Sequence, residues 1–352
     1  MRLGIFLPNW IGDVVMATPA LRALRNHFGP EAHLVGIMRP YVAAALEGTP
    51  WLSEALFYEK SYGLSERGWW RVVARLRAAK LDKILLLTNS TRTGLMARLS
   101  GAGERIGMTG EGRSWLLSNP VTQPIDTRSG LPIATIDAYI HLAAAVGCPP
   151  ESPRLELGTT AADERASDRV WQRLRLPSGD RVVVLNTGGA FGSAKNWPLE
   201  HFAELARRIA IDYGLAVLVN CGPNERDEAQ SVVKQANDAR VTSLADEPSL
   251  PLGLTKACIR RARMLVTTDS GPRYFGIAFG KPVITLFGPT DPRMTETHYD
   301  RETVVSLSLE CQPCMERTCP LVHHRCMRDL SVDVVRRAVA RQLDAKPTEQ
   351  AA

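Results

Sequence analysis

The stretch LGIFLPNWIGDVVMATPALRALR (3–25) decides the fold. Residues 3–7 are apolar or glycine and read as a strand. Pro8 and Asn9 end it, because proline removes a ladder donor. Apolar residues then recur at three- and four-residue spacing over 14–28, the period of a helix packed on one side. A strand passing through a short loop into a helix opens a βα unit. The unit repeats, with strands expected at 33–37, 55–58 and 83–87 and helices at 41–46 and 67–79. Past residue 180 the alternation restarts. Strands are expected at 182–186, 216–221, 265–268 and 283–287, and helices at 201–211, 225–236 and 274–279. Such alternation predicts parallel sheets covered on both faces. The chain therefore reads as α/β, with two Rossmann-like doubly wound domains facing a cleft. CPPESPRLEL (148–157) cannot hold a helix. A charged amphipathic stretch at 162–174 follows it, and the boundary is set at 165/166. That gives an N-terminal domain of 1–165 and a C-terminal domain of 166–352.

Length and composition agree with two domains. The chain has 352 residues, 45% hydrophobic and 23% charged, which excludes a disordered or fibrous chain. The opening run is too short and too soon broken for a secretory signal. No stretch reaches the roughly 18 apolar residues of a membrane span. Lys and Arg exceed Asp and Glu by 43 to 37, a net +6 that suits an anionic partner. No basic block or zinc-finger spacing points to nucleic acid. The seven cysteines are an odd number, and Cys148, Cys221 and Cys258 sit alone among apolar residues. A reduced, cytoplasmic setting suits this usage better than a disulfide framework.

In doubly wound sheets ligands lie beyond the carboxyl ends of the strands, and four motifs stand there. In PNWIGDVVMATPALRALR (8–25), Gly12 precedes Asp13 at the start of a helix. A carboxylate there stays ionised and can either take a proton from a substrate hydroxyl or merely cap the helix. In NTGGAFGSAKNWP (186–198), Gly188, Gly189 and Gly192 let backbone N–H groups approach an anion, and Lys195 adds a point charge. Pro198 starts the next helix. The spacing matches neither a Walker loop nor GxGxxG, and a plain turn with a solvated lysine is the alternative. In NCGPNERDEA (220–229), Asn224 can cap a helix opening at Glu225. That carboxylate can bind the two hydroxyls of a ribose or simply complement the helix dipole. In TTDSGPRYFGIAFGKPVITLFGPTDP (267–292), Asp269, Ser270 and Gly271 follow a strand and Pro272 opens a helix. Its N–H groups make an anion site. Two anion-ready strand ends and a ribose acid in one domain suggest a nucleotide diphosphate.

Together these motifs, with KPVITLFGPTDP (281–292), resemble glycosyltransferase family 9, the ADP-heptose:lipopolysaccharide heptosyltransferases, over residues 2 to about 340. The GGAFGSAKNWP run, the Asn89-Ser90 pair and the tail CQPCMERTCPLVHHRC resemble the type II enzymes. The resemblance implies a GT-B fold and an inverting transfer of heptose from ADP-L-glycero-D-manno-heptose to the lipopolysaccharide inner core, with no cofactor required for catalysis. It implies Asp13 as the base. It places the donor at Thr187, Gly188, Gly189, Lys195, Glu225, Asp269, Ser270 and Gly271, with Arg273 and Tyr274 after them. Where the family carries DSGxxH, this chain has Tyr274 behind Pro272 and Arg273, so Arg273 is expected to supply the missing positive charge.

The resemblance also implies a phosphorylated lipid A–core acceptor at the inner face of the inner membrane, bound by the N-terminal domain of a peripheral, cytoplasmic enzyme. Gly12, Asn89, Ser90, Arg92, Arg98, Arg105 and Arg113 are the acceptor candidates. Trp69 and Trp70 either dip into the membrane interface or belong to the core. Cys311, Cys314, Cys319 and Cys326 stand as C-x2-C-x4-C-x6-C with His323 and His324 among them. Four soft ligands can form a structural zinc site, an iron–sulfur site, a disulfide or plain reduced thiols. A GT-B epimerase or transferase using another nucleotide sugar, and a non-catalytic nucleotide-sugar-binding protein, are the rival functions.

Overall fold

The computed structural model describes residues 1–59, 67–110, 112–127, 129–189 and 191–345. It divides into two compact units, 1–158 with 293–298, and 159–292 with 299–345. The expected boundary at 165/166 falls inside the helix Ala161–Arg173. A reciprocal capping box fixes where that helix starts. Thr160 Oγ1 accepts from the Asp163 N–H, and the Asp163 carboxylate accepts from the Thr160 N–H. The whole helix belongs to the second unit, so the division comes before it. The segment 293–298 returns to the first unit, where Thr135 Oγ1 donates to the Met294 carbonyl and His298 Nε2 lies 3.0 Å from the Asp137 carboxylate.

The first unit holds β1 (Arg2–Phe6), β2 (His33–Met38), β3 (Glu54–Phe57), β4 (Lys83–Leu86), β5 (Glu104–Met108) and β6 (Asn119–Val121). They form one parallel sheet in the order β3-β2-β1-β4-β5-β6. The second unit holds β7 (Val182–Asn186), β8 (Ala216–Asn220), β9 (Val241–Ser243), β10 (Met264–Thr268), β11 (Val283–Phe287) and β12 (Glu302–Ser306), in the order β12-β11-β10-β7-β8-β9. Within each unit the first three strands run one way from the centre and the last three run the other. The strand order therefore reverses between β1 and β4, and between β7 and β10. Loops leaving adjacent strands there diverge to opposite faces and open a crevice.

The central strands are buried on both faces. β7, β8, β10 and β11 have no exposed residue, as parallel strands covered by helices require. In the first unit Phe6, Val35, Ile37, Ile84 and Leu86 pack with Trp69, Val73 and Leu76 of the helix Arg67–Ala78. Among the described residues no helix is long and apolar enough to cross a membrane.

Candidate active site

The crevice of the second unit is built by three strand ends. β7 delivers Asn186, and β10 places Thr267 opposite it in register. Asn186 Nδ2 lies 2.9 Å from the Gly188 carbonyl, 3.2 Å from Thr267 Oγ1 and 3.1 Å from Ser270 Oγ. From β8, Asn220 Nδ2 donates to Asn186 Oδ1 at 2.7 Å. This buried amide network ties the three loops together. The glycines let them close. A methyl on Gly188 would meet Glu225 Oε1 at 2.0 Å, and one on Gly189 would meet Ser270 Cβ at 3.0 Å. Thr187 is buried beside them, and its hydroxyl has no hydrogen-bond partner among the described residues. Ala190 lies outside the described residues.

Glu225 does not open a helix capped by Asn224. The helix is Arg226–Ala236, with Glu225 at the cap position and no side-chain cap. Its carboxylate turns back, and Oε2 accepts from the Gly222 N–H at 2.7 Å. That holds the acid against the glycine loop and leaves Oε1 without a hydrogen bond from the described residues. Ser270 likewise spends its hydroxyl on Asn186 and Thr267, so it does not cap the helix Gly271–Ala278. The helix begins one residue before Pro272.

A chain of alternating charges lies under this crevice. Lys195 Nζ donates to the Asp269 carbonyl at 2.9 Å and to its carboxylate at 2.5 Å. The ammonium also sits 4.4 Å from the centre of the Phe191 ring. The other Asp269 oxygen accepts from Arg273, and Thr290 Oγ1 donates to the carboxylate at 2.8 Å. Arg273 is 1% exposed and makes a bidentate pair with Glu302, at 2.6 and 3.1 Å. Burial by itself would raise the Asp269 carboxyl. The charges of Lys195 and Arg273 more than offset it, so the carboxyl is held below its ordinary range.

This chain corrects two expectations. Arg273 does not replace the family's histidine charge at the diphosphate, because Glu302 and Asp269 neutralise it in the interior. Tyr274 is buried and takes a hydrogen bond from Arg273 at 3.3 Å, so its phenol does not line the crevice either. Asp269 is likewise a buried support for Lys195. Glu302 and Thr290 were not legible as site residues, since their partners lie 29 and 21 positions away.

The cysteine segment reaches this site. Ala194 N–H donates to the Arg317 carbonyl, and His324 Nε2 lies 2.7 Å from the Ala194 carbonyl. Gly192, at φ +151°, has the Arg317 carbonyl where a side chain would begin. Gln312 Nε2 donates to the Gly288 carbonyl. Residues 311–326 thus strap the Lys195 turn and the turn after β11. Cys311, Cys314, Cys319 and Cys326 line one small enclosed space with His323 and His324, and none is in a disulfide. Burial and the charges of the other three push the Cys326 thiol up to about 11. As the side chains stand, no three His, Cys, Asp or Glu groups among the described residues are placed to hold a metal ion.

In the first unit, Asp13 lies in the first turn of the helix Ile11–Met16. The cap position belongs to Trp10, so Asp13 is not the N-cap. Gly12 is buried beside it. After β4, Ser90 Oγ caps the helix Thr91–Leu99 by accepting from the Thr93 N–H. The acceptor arginines divide. Arg113 is fully buried and donates to the carbonyls of Met108 and Thr88 and to Asn89 Oδ1. It shapes the Asn89-Ser90 loop and cannot meet a ligand. Arg105 donates to the carbonyls of Leu116 and Ala102 and fastens β5. Arg98 is exposed in the last turn of its helix, and Arg92 is half-buried in the first. Trp69 belongs to the core, and Trp70 is 54% exposed. The side chain of Arg67 lies outside the described residues.

Comparison with known proteins bears on this arrangement. The family model described as glycosyltransferase family 9 (heptosyltransferase) matches residues 69–324. The lipopolysaccharide heptosyltransferase 2 of Escherichia coli is 26% identical over 326 residues, covering 87% of this chain and 88% of that protein. The lipooligosaccharide heptosyltransferase 2 of Campylobacter jejuni is 25% identical over 352 residues, covering 95% and 97%. The solved structure of Escherichia coli ADP-heptose lipopolysaccharide heptosyltransferase II superposes with a TM-score of 0.78 at 23% identity, covering 97% of this chain and 98% of that one.

Proposed function

The chain belongs to glycosyltransferase family 9, the heptosyltransferases, and on that premise we propose that it moves heptose from ADP-L-glycero-D-manno-heptose to a phosphorylated lipid A–core acceptor, as an inverting type II enzyme. One observation carries the donor half. The ends of β7, β8 and β10 bring Lys195, Glu225 and Ser270 to the point where the strand order reverses. A nucleoside diphosphate needs a cation, free amides and a ribose acid, and this crevice offers all three.

Lys195 spends two of its three N–H donors on Asp269. The third is available to a diphosphate oxygen. The amides of the glycine loop and of Gly271 supply further donors. Because Asp269 fixes the ammonium beforehand, little reorganisation accompanies the growth of charge on departing ADP. Glu225 Oε1 takes the ribose hydroxyls. Asp13 accepts the proton of the acceptor hydroxyl. That oxygen forms its bond to the anomeric carbon, and the bond to the diphosphate breaks with its electron pair going to ADP. One displacement inverts the centre.

No metal is written into this transfer, since Lys195 and the amides meet the leaving-group charge. Zinc at Cys311, Cys314, Cys319 and Cys326 would serve the fold, holding the strap on the Lys195 turn. Metal analysis of tag-free protein is its test. The acceptor places the enzyme at the cytoplasmic face of the inner membrane, as a peripheral protein. Calorimetric titration with ADP, ADP-sugar and UDP-sugar tests the donor. Adenine-selective binding that weakens in Lys195→Ala supports the reading. A preference for uridine replaces the donor, and absence of any nucleotide binding sinks the transferase assignment.

A further inference from the structure

Arg39 stands directly after β2 and has the wrong surroundings for a structural arginine. It is half-buried. Among the described residues its only hydrogen bond is a long one, from Nη1 to the Tyr41 hydroxyl at 3.5 Å. Its guanidinium lies 5.8 Å from the centre of the Tyr41 ring. Among the described residues Nε is buried with no hydrogen-bond partner, and no carboxylate pairs with the group. Other arginines of the same unit are fully engaged. Arg22 pairs with Glu151 and Glu156, and Arg25 donates to the carbonyls of Trp51, Gly29 and Ala32. A half-buried cation with an idle donor is costly unless something anionic completes it.

Its place in the sheet says what that is. Tyr41 donates to the Asn9 carbonyl, and Tyr58, just past β3, donates to Asn9 Oδ1 at 3.3 Å. Asn9 belongs to the loop from β1 into the helix that carries Asp13. Arg92 follows β4. Burial raises the Tyr58 hydroxyl, while the charges of Arg39 and Arg92 both pull it down. Arg39 and Arg92 thus follow the strands on either side of β1. The planar fork of arginine matches phosphate oxygens two at a time.

We infer that Arg39, with Arg92 after the strand on the other side of β1, forms an anion subsite that takes a phosphate monoester on the acceptor sugar and so sets the attacking hydroxyl before Asp13. This rests on the transferase reading above and adds the residue that recognises the acceptor's charge.

The test uses full-length enzyme, ADP-heptose and a lipid-free core oligosaccharide, either phosphorylated or phosphatase-treated. Arg39→Gln should raise KM for the phosphorylated acceptor about tenfold to a hundredfold and leave KM for the treated acceptor unchanged. With both acceptors kcat should move less than threefold, and the ADP Kd should stay the same. Arg39→Lys should recover part of the loss. Equal KM changes for both acceptors, or none, overturn the inference while the transferase reading stands. If wild-type enzyme transfers nothing, calorimetry with the phosphorylated oligosaccharide separates the two claims. Binding that Arg39→Gln abolishes keeps the subsite and drops the transfer, and binding that Arg39→Gln does not weaken removes the subsite. Competition by inorganic phosphate distinguishes a general anion site. If millimolar phosphate displaces the oligosaccharide as well as its own phosphorylated sugar does, recognition of the acceptor is overturned.

Discussion

The two crevices of this molecule are built on the same strand order and treat charge in opposite ways. In the second unit Lys195, Asp269, Arg273 and Glu302 neutralise one another before any ligand arrives. In the first, Arg39 has no carboxylate partner among the described residues. A closed network holds its one working cation in place at the cost of part of its charge. An open one keeps its full charge and depends on the ligand to complete it. The donor, with a diphosphate that must be stabilised as it leaves, suits the first kind. The acceptor, whose phosphate is only a handle, suits the second.

The largest effect that would break this contrast is at Asp13. Asp13→Ala should lower kcat on the order of a thousandfold while ADP affinity stays within twofold. Turnover kept within threefold of wild type would move the base elsewhere. Next is the closed network. Asp269→Asn strands Lys195 and leaves Arg273 to Glu302 alone, and should cost about 3–5 kcal/mol in denaturant unfolding. The pH dependence has a definite sign. Asp269 titrates below its unfolded value, so its contribution is complete above the ordinary aspartate range near ~3.9. It is lost as pH falls through the lowered folded value. Wild-type stability should therefore drop below about pH 4, and the Asn variant should be flatter there. If the two acid profiles are parallel, Asp269 is not the charged centre of the network.

Lys195→Ala comes third, with ADP binding weakened roughly tenfold to a hundredfold, the worth of one charge-assisted bond. Glu225→Ala should weaken ADP about tenfold, the low end for a carboxylate accepting from hydroxyls, and ribose 5-phosphate competition should weaken in parallel. The smallest effect sharpens the contrast within the first unit. Arg113→Gln should lower the melting temperature, because buried carbonyls lose their donor. Arg39→Gln should leave it unchanged or raise it. A large loss at Arg39 would make it a structural arginine after all.

Much of this was legible in the sequence, for reasons that differ by residue. The central strands announce themselves, because burial on both faces leaves runs such as VVVLN, AVLVN and VITLF. The edge strands NPV, VTS and ETVVS do not, nor does ERIGM beside NPV, since a short, half-exposed strand carries polar residues. The helices Leu252–Arg261 and Val332–Asp344 were also missed. The candidates at strand ends, from Asp13 to Ser270, are singled out by the turn chemistry beside them. Pairing does not. Nothing local says that Arg273 will meet Glu302, or that Arg113 will be wrapped in carbonyls, so a charge expected at the ligand became a charge in the interior. Arg39 is illegible for the converse reason. One arginine after a strand looks like any other until its neighbours are seen to offer it nothing.

The strap over the Lys195 turn has a consequence for synthesis on the ribosome. His324 and Ala194 meet across 130 positions of chain. At roughly 5–20 residues per second, the glycine loop emerges on the order of ten seconds before the segment that pins it. The donor crevice is therefore among the last parts of the second unit to mature, and the nascent enzyme should be unable to hold nucleotide until its cysteine-rich tail has been made. A chain released before residue 310 should keep its β7–β11 core and fail to retain ADP.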